Sequence, residues 1–330
     1  MASTSMHPKD GSHIAEKMRR HLRPSESIIG SILFFCAIVS IFTTIGIVIT
    51  LGAESFRLFS KEQCVEVTYL STGKRCEEVT LNEFLTTTEW VPQSLKFGAL
   101  PLIASTLTTS FIAMTIAIPL GIGAAIYLSE YASPRTRRVL KPILEVLAGI
   151  PTVVYGFFAL TFVTPVLRDV FTVTAMPTLF NMLSAGLVMG IMILPLMASM
   201  SEDALNAVPR SLREGSFGLG ANKLETTVSV VLPAALSGVI AAMIISVSRA
   251  VGETMIVAIA AGAGPRYTIV PFDAAETITG HIARISSGDI SFNSVDYNSV
   301  FALGLMLFIV TLFLNIIGRQ LATIFREEYD

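Results

Sequence analysis

Two charges stand alone in an otherwise uncharged stretch. From Val228 to Gly264 the only charged residues are Arg249 and Glu253. Four residues apart, they share one face of any helix that runs through both. Arg249 lies 16 residues beyond Pro233, roughly 24 Å along a helix rising about 1.5 Å per residue. Charges at such depth in apolar segments face a bundle interior or a water-filled cavity and pair with each other. A guanidinium also offers a planar fork that suits an oxyanion. The chemistry indicated is passage of an anion, with Glu253 holding Arg249 while the path is empty. A structural ion pair that only fixes helix packing uses the same two residues, and the residues alone leave both readings open.

A second constellation lies just upstream. The segment from Ser211 reads E-G-S-x3-G-x9-V-x-L-P from Glu214 to Pro233. It predicts a helix–turn–helix that projects from the apolar part of the chain. Gly215 and Ser216 are small enough to allow close approach by a partner. Gly220 lets the turn leave helical backbone space, and Pro233 fits the first turn of the returning helix. Together with Arg213, these residues form a candidate docking element. An ordinary loop between two spans is the alternative.

The elements that position both sites follow from composition. Hydrophobic residues make up 52% of the 330, charged residues 15%, and the mean hydropathy is +0.67. The apolar residues fall in long blocks, and a block of 18 or more is a candidate membrane span. The expected fold is an all-α membrane protein with six transmembrane helices. Basic flanks at Lys17–Arg23, Arg135–Lys141, Arg210–Lys223 and Arg319–Arg326 put both termini in the cytoplasm. The reading divides the chain into a cytoplasmic tail (1–26), a first transmembrane helix (27–52), an external loop (53–96), a transmembrane domain (97–322) and a tail (323–330). The cytoplasmic docking segment is 203–229 within that domain. No cleavage site of small residues follows the first apolar block, so no removed signal peptide is expected. The spans are placed at about 28–51, 97–128, 142–167, 179–200, 230–261 and 300–318. Cys64 and Cys76 fall in the external loop. They are either a disulfide, in an oxidising compartment, or two free thiols. Cys36, within the first span, reads as a small apolar filler.

The segment 214–233 resembles the EAA motif of permease subunits of bacterial ABC importers with the type I fold, Glu-Ala-Ala-x3-Gly-x9-Ile-x-Leu-Pro. Glu214, Gly220, Leu232 and Pro233 are in register, while Gly215, Ser216 and Val230 depart by small or isosteric changes. Three further stretches, FGALPLIASTLTTSFIAM (97–114), KPILEVLAGIPTVVYGFFAL (141–160) and SRAVGETM (248–255), resemble phosphate-specific permeases of the PstC type. The resemblance covers about 100–320. It implies the type I permease fold and a docking role, as coupling helix, for Arg213, Glu214, Gly215, Ser216 and Gly220. It implies a phosphate path through Arg249 and Glu253. It also implies a complex with a PstA-like second permease, a PstB-like ATPase pair that binds ATP and Mg, and a PstS-like binding protein.

No catalytic centre is expected in this chain. It has no G-x-x-x-x-G-K-[ST] phosphate loop. His7, His13, His21 and His281 are scattered, and no Cys/His spacing suggests a metal site. A net charge of −2 gives no hint of nucleic-acid binding. The alternative is a self-contained channel or ion-coupled anion carrier that uses Arg249 and Glu253 as its relay. The docking segment favours the permease, and the absence of a clear internal repeat weighs against an inverted-repeat carrier.

Overall fold

Uninterrupted apolar runs fold as helices because a helix satisfies its own backbone polar groups, which the bilayer cannot do. The computed structural model describes residues 24–60, 63–67, 73–171, 176, 178–288, 291 and 294–324. Five of its helices are long and apolar enough to cross a membrane, and six spans result if one bent pair counts as one. The helices are α1 (Pro24–Ser60), α2 (Leu81–Thr86), α3 (Leu100–Ile126), α4 (Pro134–Ala148), α5 (Thr152–Phe158), α6 (Thr164–Phe171) and α7 (Met182–Ala207). They continue with α8 (Arg210–Gly218), α9 (Lys223–Thr226), α10 (Leu232–Ala234), α11 (Leu236–Val251), α12 (Met255–Ala260), α13 (Ile278–Ser286) and α14 (Val295–Ile324). Single π turns extend α3 (Tyr127–Tyr131), join α5 to α6 (Ala159–Val163) and join α9 to α10 (Thr227–Val231).

The chain divides into two compact units, Met1–Thr50 and Leu51–Asp330. In the first, the described part of α1 leaves Phe34 and Phe42 more than two-thirds exposed, as suits a helix bathed in lipid tails. Cys36 is exposed among them, so it does not fill a packed interior as the sequence suggests. The second unit begins within α1, which stays helical to Ser60 with Arg57 paired to Glu54 one turn back. The predicted loop 53–96 therefore starts as helix. It then forms two small antiparallel pairs, β1 (Gln63–Val67) with β2 (Gly73–Glu77) and β3 (Trp90–Val91) with β4 (Lys96–Phe97). The register sets the backbone of Cys64 opposite Cys76. The side chains of these two cysteines lie outside the described residues.

Three boundaries differ from the sequence reading, each for a backbone reason. The predicted third span, 142–167, is really two elements. Gly149 caps α4, and Pro151 takes an extended ψ of 135° before α5, so the basic helix α4 stands apart and the span starts at Thr152. The fourth span runs through Pro195 to Ala207, placing Glu202 in a buried helical turn and drawing the start of the predicted docking segment into the span. The fifth is bent by 70° between α10 and α11, beside Pro233, and stops at Val251 with Gly252 as its cap.

α3 and α7 form the spine. At Gly190 a Cβ would come within 2.8 Å of the Ala113 carbonyl oxygen, so only glycine permits this approach. Hydroxyls of Thr106, Thr108 and Thr109 bond back to the carbonyls of Leu102, Ala104 and Ser105 within α3, which hides their polarity. α12 and α5 pack on this spine through Ile256, Val257, Ala260 and Tyr155.

Candidate functional site

Arg249 sits in the last turn of α11. Its Nη2 lies 3.5 Å from the Met192 sulfur of α7, and among the described residues it has no carboxylate partner. The expected ion pair with Glu253 is not formed. A shared face requires helix through residue 253, but α11 has already ended. Glu253 instead opens the next helix. Its Oε1 accepts from the backbone N–H groups of Met255 (3.1 Å) and Ile256 (3.4 Å), while its carbonyl accepts from Thr279 Oγ1 at 2.5 Å. The carboxylate is thus a built-in anion at the positive end of α12.

Arg249 lines a cavity of about 300 Å³ with Lys141, Glu145, Met192, Pro195, Ser199 and Glu202 among its other walls. Glu202, 1% exposed, pairs with Arg137 and with Lys141 at 3.4 Å. None of these three is a site residue in the sequence reading. The basic run 135–141 was legible there as a flank, but no spacing ties it to a glutamate more than sixty positions later.

The docking segment folds as α8 followed by a tight reversal. Ala221 N–H donates to Ser216 O and Gly220 N–H to Phe217 O, a paired closure that needs a left-handed residue. Gly220 supplies it with φ of +90°. Asn222 then caps α9, its side chain accepting from Glu225 N–H while the Glu225 carboxylate accepts from Asn222 N–H. Glu214, Gly215 and Gly220 are exposed, and Ser216 is half-buried, with its hydroxyl 2.9 Å from Thr226 Oγ1. Arg213 faces the other way. Its guanidinium bonds the Glu130 carboxylate (2.9 and 3.3 Å) and the carbonyls of Val208 (2.6 Å) and Leu205 (2.8 Å). It is therefore an anchor of α8, and not part of its exposed face. The exposed tip instead includes Phe217 of α8, Leu219 (92% exposed) in the turn and Leu224 of α9, apolar residues interspersed with polar ones and so without a pattern in the sequence.

A third polar cluster lies at the other end of α3, in the segments outside the spans. Burial pushes the Glu276 carboxyl up. Hydrogen bonds from His281 (3.1 Å) and Arg284 (2.6 and 3.0 Å), with the charges behind them, outweigh that and hold it at about 2. Arg284 is raised in turn, first by its bond to Glu276. Trp90 Nε1–H donates to His281 Nε2 at 3.0 Å, and Gly264 N–H to Glu276. The cluster ties the β3–β4 pair to α13.

The arrangement offers a cavity lined by Arg249 and Lys141 and an exposed helical tip. Residues 117–327 match the family model of the binding-protein-dependent transport system inner membrane component. The chain is 35% identical over 274 residues to the phosphate transport system permease protein PstC of Xylella fastidiosa (strain 9a5c), covering 78% of this chain and 83% of that one. It is 34% identical over 258 residues to PstC of Mesorhizobium japonicum, covering 72% and 77%. It is also similar to the probable ABC transporter permease protein YqgH of Bacillus subtilis (strain 168), 33% identical over 290 residues, covering 87% and 88%. Among solved structures, the MetNI methionine ABC transporter in an inward-facing conformation shares the fold, with a TM-score of 0.52 over 70% of this chain and 95% of that one at 20% identity.

Proposed function

The chain belongs to the family of binding-protein-dependent transport system inner membrane components, and from that premise we propose that it is one half of the translocation path of an ATP-driven phosphate importer. At the coarser level it is a multi-pass inner-membrane permease subunit of an ABC transporter. The observation that carries the finer reading is Arg249, an exposed guanidinium on a cavity wall with no paired carboxylate among the described residues. Such a group lowers the cost of bringing an anion into a low-dielectric path. Relatives named as phosphate permeases support phosphate as that anion.

In this reading α8 and both termini face the cytoplasm. The exposed face of Glu214, Gly215 and Gly220 seats on a PstB-like ATPase homodimer, which binds the ATP and Mg. A PstA-like permease completes the path, and a PstS-like protein delivers phosphate from outside. Glu253 serves by starting α12 and not as the partner of Arg249. A self-contained channel is the weaker reading, because it leaves the apolar tip at Leu219 without a purpose.

The test is labelled-phosphate uptake in vesicles holding the whole complex. Arg249→Gln is expected to abolish uptake with assembly intact. Glu253→Gln, whose amide oxygen still accepts from Met255 and Ile256, is expected to retain most of it. Normal uptake by Arg249→Gln overturns the path assignment, and uptake that proceeds without ATP overturns the importer in favour of a channel.

A further inference from the structure

With Glu253 turned away, the cavity needs another account of its charges. Lys141 on α4 lines it beside Arg249. Lys141 Nζ lies 3.4 Å from Glu202 Oε2 and 3.7 Å from Asp203 Oδ1, longer than the 2.7–2.9 Å typical of a strong charge-assisted bond. Arg137, by contrast, makes close contact with Glu202 Oε1, and Asn206 Nδ2 approaches the same oxygen at 3.4 Å. Arg137 is not among the residues lining this cavity. The buried carboxylate thus has a firm partner outside the cavity and a loose one inside it. Glu145, one helical turn beyond Lys141, adds a carboxylate to the cavity wall.

We propose that Lys141 and Arg249 together form a two-cation oxyanion station, and that Glu202 is the counter-ion that holds Lys141 while the station is empty. The inference rests on reading this cavity as the anion path. Lys141 leaves Glu202 cheaply, because Arg137 remains to neutralise that carboxylate. An anion arriving between Lys141 and Arg249 therefore exchanges one partner of Lys141 for another and strands no buried charge. Glu145 keeps the station from holding its anion too tightly.

The experiment uses the assembled complex in membrane vesicles, with Cys36, Cys64 and Cys76 replaced by serine and Ser199→Cys, on the wall of the same cavity, supplying the only thiol of this chain. The probes are two methanethiosulfonate reagents of similar size, one bearing a sulfonate and one a trimethylammonium. The sulfonate reagent is expected to react roughly tenfold faster, the low end of the enrichment that a focused field provides. Adding Arg249→Gln is expected to abolish that preference, and inorganic phosphate to slow the sulfonate reagent. Equal rates for the two reagents, a preference that survives Arg249→Gln, or no reaction with either overturns the station. If the preference depends on Arg249 but phosphate does not protect, and the wild-type complex takes up no labelled phosphate, the station stands and phosphate as its substrate falls. Lys141→Gln, added to the Ser199→Cys chain, is expected to abolish the preference as Arg249→Gln does, and a preference that survives it overturns the two-cation station.

Discussion

Removing the Arg213 guanidinium is expected to loosen α8 while leaving the spans intact. Four hydrogen bonds tie that guanidinium to Glu130 and to carbonyls at the end of α7. The pair is mostly buried, with side chains 16% and 9% exposed. Among the described residues, Arg213→Ala leaves the Glu130 carboxylate with the Ser129 hydroxyl at 3.1 Å. Breaking a buried pair from one side costs about 3–5 kcal/mol, and residual exposure points to the lower figure. About 3 kcal/mol corresponds to roughly a hundredfold. Amide hydrogen exchange in α8 is therefore expected to accelerate by about that factor, with exchange in α3 and α7 little changed. Arg213→Gln combined with Glu130→Gln is expected to cost clearly less than the two single changes summed, since no charge is then stranded. ATPase activity is expected to lose its response to loaded binding protein in Arg213→Ala. Unchanged exchange in α8, or strict additivity in the double variant, refutes the anchoring argument.

Three other outcomes are expected. Gly220→Val forces a β-branched residue into φ of +90°, costing about 1–2 kcal/mol; uptake should fall and ATP hydrolysis uncouple, with Gly220→Asn milder, and normal coupled uptake by the valine variant counts against the docking turn. Cys64 and Cys76, opposite each other in β1 and β2, should resist thiol reagents until reductant is added if their loop faces an oxidising compartment; such a bridge closes a short loop and contributes about 3 kcal/mol, and prompt labelling of both without reductant shows free thiols. Glu276→Gln should lower thermal stability at neutral pH by up to about 3 kcal/mol, the gap between 4.5 and about 2, less what water screens at the half-exposed Arg284. Because the folded-state value is depressed, that contribution is complete above about pH 4.5 and fades as pH falls towards 2; equal stability of the two proteins at pH 7 removes the cluster's role.

The spans were legible because apolar length is a local property, and so was the reversal at Gly220, because its glycine and the Asn222–Glu225 cap are a few residues apart. The face of Arg249 and Glu253 was misjudged for a physical reason. Gly252 between them is a stop signal, but glycine is also frequent inside membrane helices, and the apolar run on both sides of it reads as one continuous span. The anchoring contact of Arg213 was not legible because its partner, Glu130, is 83 residues away. The buried position of Glu202 was not legible because Arg137 and Lys141, which cover it, lie on α4, more than sixty residues earlier.

The 70° bend between α10 and α11 gives the molecule a lever. The arm from Lys223 to Ala234 is roughly 18 Å long at about 1.5 Å per residue. Each turn of about 10° around the bend therefore carries its tip about 3 Å sideways, while the side of α11 that bears Arg249 lies beyond the fulcrum. Because α8 is clamped to the end of α7 by Arg213, a pull on the tip is divided between a fixed post and a swinging arm. A load applied to the tip would reach the cavity wall as torque on α11, and the stiffness of a few residues around Pro233 would set how much of it arrives there.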